Sequence, residues 1–401
     1  MKYFIGLIAL ALPTYLVRFS IGGVPFTLLE FLIYAVFAYG LANMGYCQWS
    51  RLKTKIWLPI GLLLLAAIIS VAISPLKIAA LGQLKAFFID PVLVLWLIIC
   101  YLDFKDTKWV SLGLIGSGLI VSIHVIIQKI LGQVTFDGRV IGLFGYSPNY
   151  LALFLAPIAI IGIIYGLMVF SKNRFFSYFL WSSSILNIIA IMFSGSRGGL
   201  VALITGLAFY FIWKNWSTLL NNKFKKLSLL GLLLIVIFTA VYFFKPNFNL
   251  SPQNGGRTVT SNNIRWEIWR TSWELIKKEP FLGVGLANYQ ESFNKLTAKR
   301  VNFPEYITPY ALTPHNIFLM FWLSTGLIGL LAFIWILILF YQIGFKYRRY
   351  QFSALLLSIM TVILVQGLVD TPYFKNDLSI IFWLVVGCML LLIKEDKKMA
   401  E

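Results

Sequence analysis

Residues 148–213 read PNYLALFLAPIAIIGIIYGLMVFSKNRFFSYFLWSSSILNIIAIMFSGSRGGLVALITGLAFYFIW, and this stretch decides the fold class. Three apolar runs, near 148–170, 176–193 and 197–213, are separated by little more than SKNR and SGS. About 17 to 25 apolar residues make a helix long enough to cross the hydrocarbon of a bilayer, so the solvent of these runs is lipid. The rest of the chain agrees. Of its 401 residues 59% are hydrophobic and only 12% charged, too few polar side chains for a water-soluble surface of this size. Further runs near 3–17, 26–46, 56–74, 85–101, 109–131, 227–244, 316–342, 353–370 and 376–393 predict an all-α integral membrane protein of about twelve helices. The first run is short, contains Pro13 and follows Lys2 in the manner of a signal peptide, with Ala9 and Ala11 as a weak cleavage pattern. No polar stop follows it, so it is expected to be a retained helix.

Basic residues set the orientation, because Lys and Arg stay on the cytoplasmic side. Twelve spans put both termini on one side. Taken as inner, that side holds 18 of the 34 basic residues. The opposite short connections hold seven, Arg18, Lys77, Lys85, Lys129, Arg139, Arg197 and Lys375, and a long loop holds the other nine. Topology and contact with anionic lipid therefore account for much of the +19 charge without nucleic acid, for which no aromatic-basic module is present. The expected organisation is nine spans over 1–244, an extracytoplasmic loop over 245–314, and three spans with a cytoplasmic tail over 315–401. Cys47, Cys100 and Cys388 fall at inner ends or inner halves of spans, which leaves no outer disulfide and no zinc or iron-sulfur spacing.

Ionisable side chains are expensive in a bilayer, so their depth is informative. In this orientation Glu30, Asp90, His124, Lys129, Arg197, His315 and Asp370 lie in outer halves or at outer ends of spans, as do Asn149, Asn187 and Gln366. That distribution predicts a polar cavity open to the outer side. In the long loop, SPQNGGRTVTSNN reads as coil. NIRWEIWRTSWELIKKEP then reads as an amphipathic helix, capped by Ser261, Asn262 or Asn263 and ended by Pro280. Trp266, Trp269, Trp273 and Ile276 share one face, which suits either the membrane interface, with Arg265 and Arg270 near the headgroups, or packing over the bundle. Gly283 and Gly285 supply a turn of weak meaning. His315 opens the tenth span, where an imidazole can move a proton. Arg197, in the SGSRGG turn, offers a planar donor fork suited to phosphate, or simply snorkels.

Four segments, taken together and in this order, resemble the O-antigen ligase and polymerase superfamily. They are GLFGYSPNYLALFLA around Asn149, FSGSRGGLVAL around Arg197, RWEIWRTSWELIKKEPFLGVGLANY from Arg265, and PHNIFLMFWLSTGLIGLLAF from Pro314. The resemblance implies a GT-C-like glycosyltransferase architecture in the cytoplasmic (inner) membrane. It also implies an enzyme that takes a glycan from an undecaprenyl-pyrophosphate carrier and transfers it to a lipid or glycan acceptor, with inversion and without a metal or other cofactor. On matching positions His315 resembles the general base, and Arg197 and Arg265 resemble the arginines that hold the pyrophosphate. Asn149, Arg270 and Asn316 are expected to support them. Two guanidiniums can stabilise the charge of a leaving pyrophosphate. The competing reading is a membrane transporter of small ions or solutes. It requires internal repeats and polar groups through both halves of the bundle, and no convincing repeat is found. A catalytically dead scaffold is disfavoured because the histidine and both arginines occur together.

Overall fold

The computed structural model describes residues 1–21, 24–47, 54–144, 147–214, 261–300 and 305–400. The expected span at 227–244 and the loop opening at 245–260 lie outside the described residues. Among the described residues, six helices are long and apolar enough to cross a membrane. They are Lys77–Tyr101, Phe104–Ile130, Pro148–Val169, Arg174–Phe193, Ile317–Lys346 and Asn376–Glu395. Leu28–Ala42, Trp57–Ile73 and Gln351–Gly367 are shorter apolar helices. The protein is a multi-pass helical membrane protein.

We number the helices α1 (Lys2–Leu10), α2 (Leu28–Ala42), α3 (Trp57–Ile73), α4 (Lys77–Leu84), α5 (Asp90–Tyr101), α6 (Thr107–Ile130), α7 (Pro148–Val169), α8 (Arg174–Phe193) and α9 (Arg197–Lys214). After these come α10 (Ser261–Lys278), α11 (Tyr289–Thr297), α12 (Ile317–Lys346), α13 (Gln351–Gly367) and α14 (Asn376–Ala400). The last helix is the hub. Trp383, Phe382, Met389 and Leu391 are all fully buried, as suits a helix that is apolar all round. It packs on α5, α12 and α13, while α7 pairs with α8, α9 with α13, and α3 with α12.

Three elements depart from the sequence reading. The first run is not one helix over 3–17: α1 ends at Leu10, and Leu12–Leu16, with Pro13 near its start, tightens to a 3-10 turn. Proline removes the backbone donor that an α-helix would use there. An antiparallel hairpin follows, pairing Arg18 with Thr27 and Phe19 with Phe26, so the fold is helical apart from this one ribbon among the described residues. The expected span at 85–101 begins earlier, because a π-turn over Lys85–Ile89 joins α4 to α5. Lys85 there pairs with Glu30 at 3.0 Å. Burying one of these charges alone would cost far more than burying the pair.

The third departure fixes the loop. Helix α12 breaks at Gly326 (φ 69°, ψ −176°), a backbone region essentially reserved for glycine. The FLGVG turn docks into that break: Val284 N donates to the Leu323 carbonyl at 2.8 Å and Leu327 N to the Phe281 carbonyl at 2.9 Å. A Cβ on Gly283 would lie 2.4 Å from Leu323 O, and one on Gly326 would lie 2.3 Å from Phe281 O. Ser70 of α3 ties the turn and α12 together, accepting from Leu286 N at 2.8 Å and donating to the Ser324 carbonyl. The glycine turn is therefore a plug in a membrane helix, and it anchors the loop helix α10 just upstream.

Candidate functional site: a cationic cavity at one end of the bundle

A cavity of about 700 Å³ opens where α7 and α10 begin, α8 gives way to α9, α12 starts, and α13 turns into α14. A recess of about 70 Å³ extends it. Arg139, Asn149, Ser261, Arg265 and Asp370 belong to both linings. The larger volume is that of a site for a sizeable ligand.

Each cationic group is delivered by a local structure. Ser194 closes the end of α8, Gly195 takes φ 63°, and the Ser196 hydroxyl accepts from Gly199 N at 3.3 Å, so Arg197 becomes the first residue of α9. Its guanidinium reaches α10 through a long hydrogen bond to Asn262 Oδ1, 3.4 Å. Arg265 lies one turn into α10. It donates from Nε to the Val369 carbonyl at 3.0 Å and from a terminal nitrogen to Ser261 Oγ at 2.9 Å. Burial lowers the Arg265 pKa from its ordinary value, Asp370 opposes the fall, and the nearby guanidiniums of Arg197 and Arg139 add to it. Arginine stays charged in proteins even so. Arg139 is already paired with Asp137, Nε to Oδ2 at 2.6 Å, so the cavity and its recess set three guanidiniums and Lys375 against Asp137 and Asp370, and the surplus is positive.

Helix ends add to the field. First-turn residues of α7 (Asn149), α9 (Gly198) and α10 (Ser261, Ile264) line the cavity or its recess. A helix N-terminus carries about half a positive charge and exposes unpaired N–H groups, which suits an anion.

His315 lies at the other wall with φ 45°, outside the ordinary range for a side chain of its kind. Its Nδ1 is 3.4 Å from Asp370 Oδ1, and its Nε2 is 3.1 Å from the Tyr310 carbonyl oxygen. Asp370 sits in the turn after α13, beyond the helix, and also accepts from Thr371 N at 2.9 Å. Burial acts to raise its pKa, but the hydrogen bond and charge of His315 and the charge of Arg265 outweigh it, and the carboxyl lies below its ordinary value. Such a carboxylate favours a proton on Nδ1, while the Tyr310 carbonyl can only accept and its contact requires a proton on Nε2, so Nε2 becomes the nitrogen able to take a proton only once that contact is broken. Lys375 lines the same cavity, 4.9 Å above the Tyr150 ring. Burial lowers its pKa first of all, and Asp377 and Asp370 act against that.

The structure therefore gathers Arg197, Arg265 and His315 around one continuous cavity, with Asn149 in both parts of its lining. Asn316 does a different job: its Oδ1 accepts from Phe318 N and Leu319 N and caps α12, while its Nδ2 donates to the Leu368 carbonyl. Arg270 is exposed and lines neither the cavity nor the recess. It shares the outward face of α10 with Trp266 and Trp273, both about half exposed, whereas Trp269 turns inward to donate to the His315 carbonyl at 3.3 Å. The buried face of α10 is Ile268, Thr271, Ser272, Leu275 and Ile276, not the tryptophan stripe.

Residues 182–334, which carry Arg197, Arg265 and His315, match the family model described as O-Antigen ligase. That match covers 153 of the 401 residues, and the likeness to the O-antigen ligase family is carried by this stretch. The O-antigen ligase of Salmonella typhimurium is 23% identical over 296 residues, 71% of this chain and 69% of that protein. The General O-oligosaccharyltransferase of Acinetobacter baylyi is 27% identical over 206 residues, 47% of this chain and 34% of that protein, so the match spans about a third of that relative. The part of the cavity outside the family match includes Asp137, Arg139, Asn149, Gln366, Asp370 and Lys375. Of these, Arg139 and Lys375 were legible only as exceptions, since both are basic residues on the side that the sequence leads one to expect to be poor in them. That was a usable signal, because such a residue needs a reason other than topology.

Proposed function

We propose that this chain is an O-antigen ligase superfamily member and that it transfers a glycan from an undecaprenyl-pyrophosphate carrier to an acceptor hydroxyl, at the outer face of the cytoplasmic membrane. The observation that carries the reading is the surplus of fixed positive charge, the Arg197 and Arg265 guanidiniums and the helix N-termini, across one cavity from a histidine backed by a carboxylate. In this reading Arg197 and Arg265 hold the pyrophosphate. The acceptor oxygen attacks the anomeric carbon as the bond to the pyrophosphate oxygen breaks, and the leaving group keeps the bonding electrons. With its Nδ1 proton held by Asp370, and with Nε2 having given its own proton to solvent on leaving the Tyr310 carbonyl, His315 Nε2 takes the hydroxyl proton. The configuration inverts, because attack and departure occur on opposite faces. Fixed donors aimed at developing charge lower the barrier because they need no reorganisation. Both termini lie on the cytoplasmic side, and the polyprenyl tail lies in the lipid beside the bundle.

The test uses the full chain in lipid vesicles with an undecaprenyl-pyrophosphate oligosaccharide, with and without a lipid-core acceptor. Arg197→Ala and Arg265→Ala should each reduce transfer by about 10²- to 10³-fold, as loss of one charge-stabilising donor does, while membrane insertion stays normal. Near-normal transfer by either variant removes that arginine from the pyrophosphate role. Elongation without the core marks a polymerase, and transfer only with it marks a ligase.

A further inference from the structure

The least explained polar group in the bundle is Gln366, in the last turn of α13. It is only 2% exposed, and among the described residues neither its Nε2 nor its Oε1 has a hydrogen-bond partner. An unpaired buried amide costs roughly 1–3 kcal/mol, so such groups are rare and call for a reason. Its surroundings supply one. Gln366 lines the recess together with Arg139, Asn149, Arg197, Arg265 and Asp370. The space for its amide is kept by Gly199, where an added Cβ would come within 3.2 Å of Nε2 and 2.6 Å of the Ala152 Cβ.

We propose that Gln366 is a donor-binding residue whose carboxamide reads the junction between the pyrophosphate and the sugar it carries. The inference rests on the glycan-transfer reading above and adds to it a contact that recognises more than charge. A pyrophosphate oxygen only accepts, and it takes Nε2–H. The substituent next to the anomeric carbon, a hydroxyl or an acylamino N–H, donates, and it meets Oε1. An amide offers one donor face and one acceptor face side by side, and the glycosyl pyrophosphate junction presents the complementary pair. The arginines bind any pyrophosphate, whereas Gln366 separates a glycosylated carrier from the bare one.

The experiment compares wild type, Gln366→Leu and Gln366→Glu as full chains in lipid vesicles. It measures thermal stability with and without an undecaprenyl-pyrophosphate oligosaccharide, and the KM for that donor. Leucine has a similar volume and leaves no buried polar atom, so Gln366→Leu should melt at or above the wild-type temperature. Its KM for the glycosylated donor should rise about tenfold or more, and the donor should stabilise it less than wild type. Stabilisation by bare undecaprenyl pyrophosphate should change little. In Gln366→Glu a carboxylate faces the pyrophosphate, and binding of both carriers should fall. A Gln366→Leu protein with wild-type donor KM overturns the inference while leaving glycan transfer intact. A Gln366→Leu protein that melts well below wild type also overturns it, because the amide then has an internal structural role. A wild type that moves no glycan removes the functional reading, and this inference with it.

Discussion

Replacing Gly326 by alanine tests whether the glycine turn really locks the loop to the bundle. At φ 69° and ψ −176° a side chain costs roughly 1–3 kcal/mol in backbone strain. The new Cβ would stand 2.3 Å from the Phe281 carbonyl oxygen, a backbone atom that cannot swing aside. The docked turn must therefore withdraw, and it loses the Leu327 N–Phe281 O and Val284 N–Leu323 O hydrogen bonds, 2.9 and 2.8 Å. Each such bond contributes about 1 kcal/mol. The total is about 3–5 kcal/mol, and each 1.4 kcal/mol is a factor of about ten in the opening equilibrium. Hydrogen exchange on the vesicle-embedded protein should show amides of 281–290 and of Leu327 exchanging at least about 100-fold faster, with 148–169 unchanged. Glycan transfer should fall in parallel, since Arg265 rides on the helix this turn anchors. Unchanged exchange in 281–290 would refute the locking argument, whatever happens to activity.

Other predictions concern the wall opposite the arginines. Asp370→Asn puts an amide beside His315 Nδ1, favours the tautomer that carries its proton on Nε2, and should slow transfer by about 10²- to 10⁴-fold. The measurement is kcat with saturating donor, and a change under threefold would dismiss the orienting role. For pH, the Asp370 pKa is lowered in the folded protein. Its stabilising contribution is complete above the ordinary carboxylate value of about 3.9 and is lost as pH falls through the lower folded value. Melting temperature should therefore show an acid-side step below about pH 4 that Asp370→Asn lacks, and identical acid profiles for the two proteins would count against it. Ser70→Ala leaves Leu286 N and the Ser324 carbonyl without their shared partner and should cost about 1–3 kcal/mol, read as faster exchange at Leu286.

Much of the bundle was legible as apolar length, and the loop helix over 261–278 as an amphipathic run that stops before Pro280. What the sequence could not carry are features made by distant chain segments. The break at Gly326 lies inside an unbroken apolar run, and nothing local distinguishes that glycine from Gly329 three residues later. Only the FLGVG turn arriving from 281–285 does so. Periodicity placed three tryptophans on one face of α10 but could not say which face is buried, because that depends on α11 and α12. Asp370 was expected at the outer end of a span, yet its pairing with His315 is a contact between residues 55 apart in sequence. Arg139, Gln366 and Lys375 reach the cavity by the same long-range convergence.

The central claim is that this cavity moves a glycan from lipid pyrophosphate, with His315 taking the proton. The most direct test is glycan transfer by purified wild type and His315→Ala in the same vesicles, with the labelled donor and acceptor supplied together. The account predicts transfer by wild type and a loss of at least about 10²-fold in His315→Ala, with donor-induced thermal stabilisation retained because the arginines remain. Transfer by His315→Ala at near wild-type rate, or none by wild type with either acceptor, would contradict it.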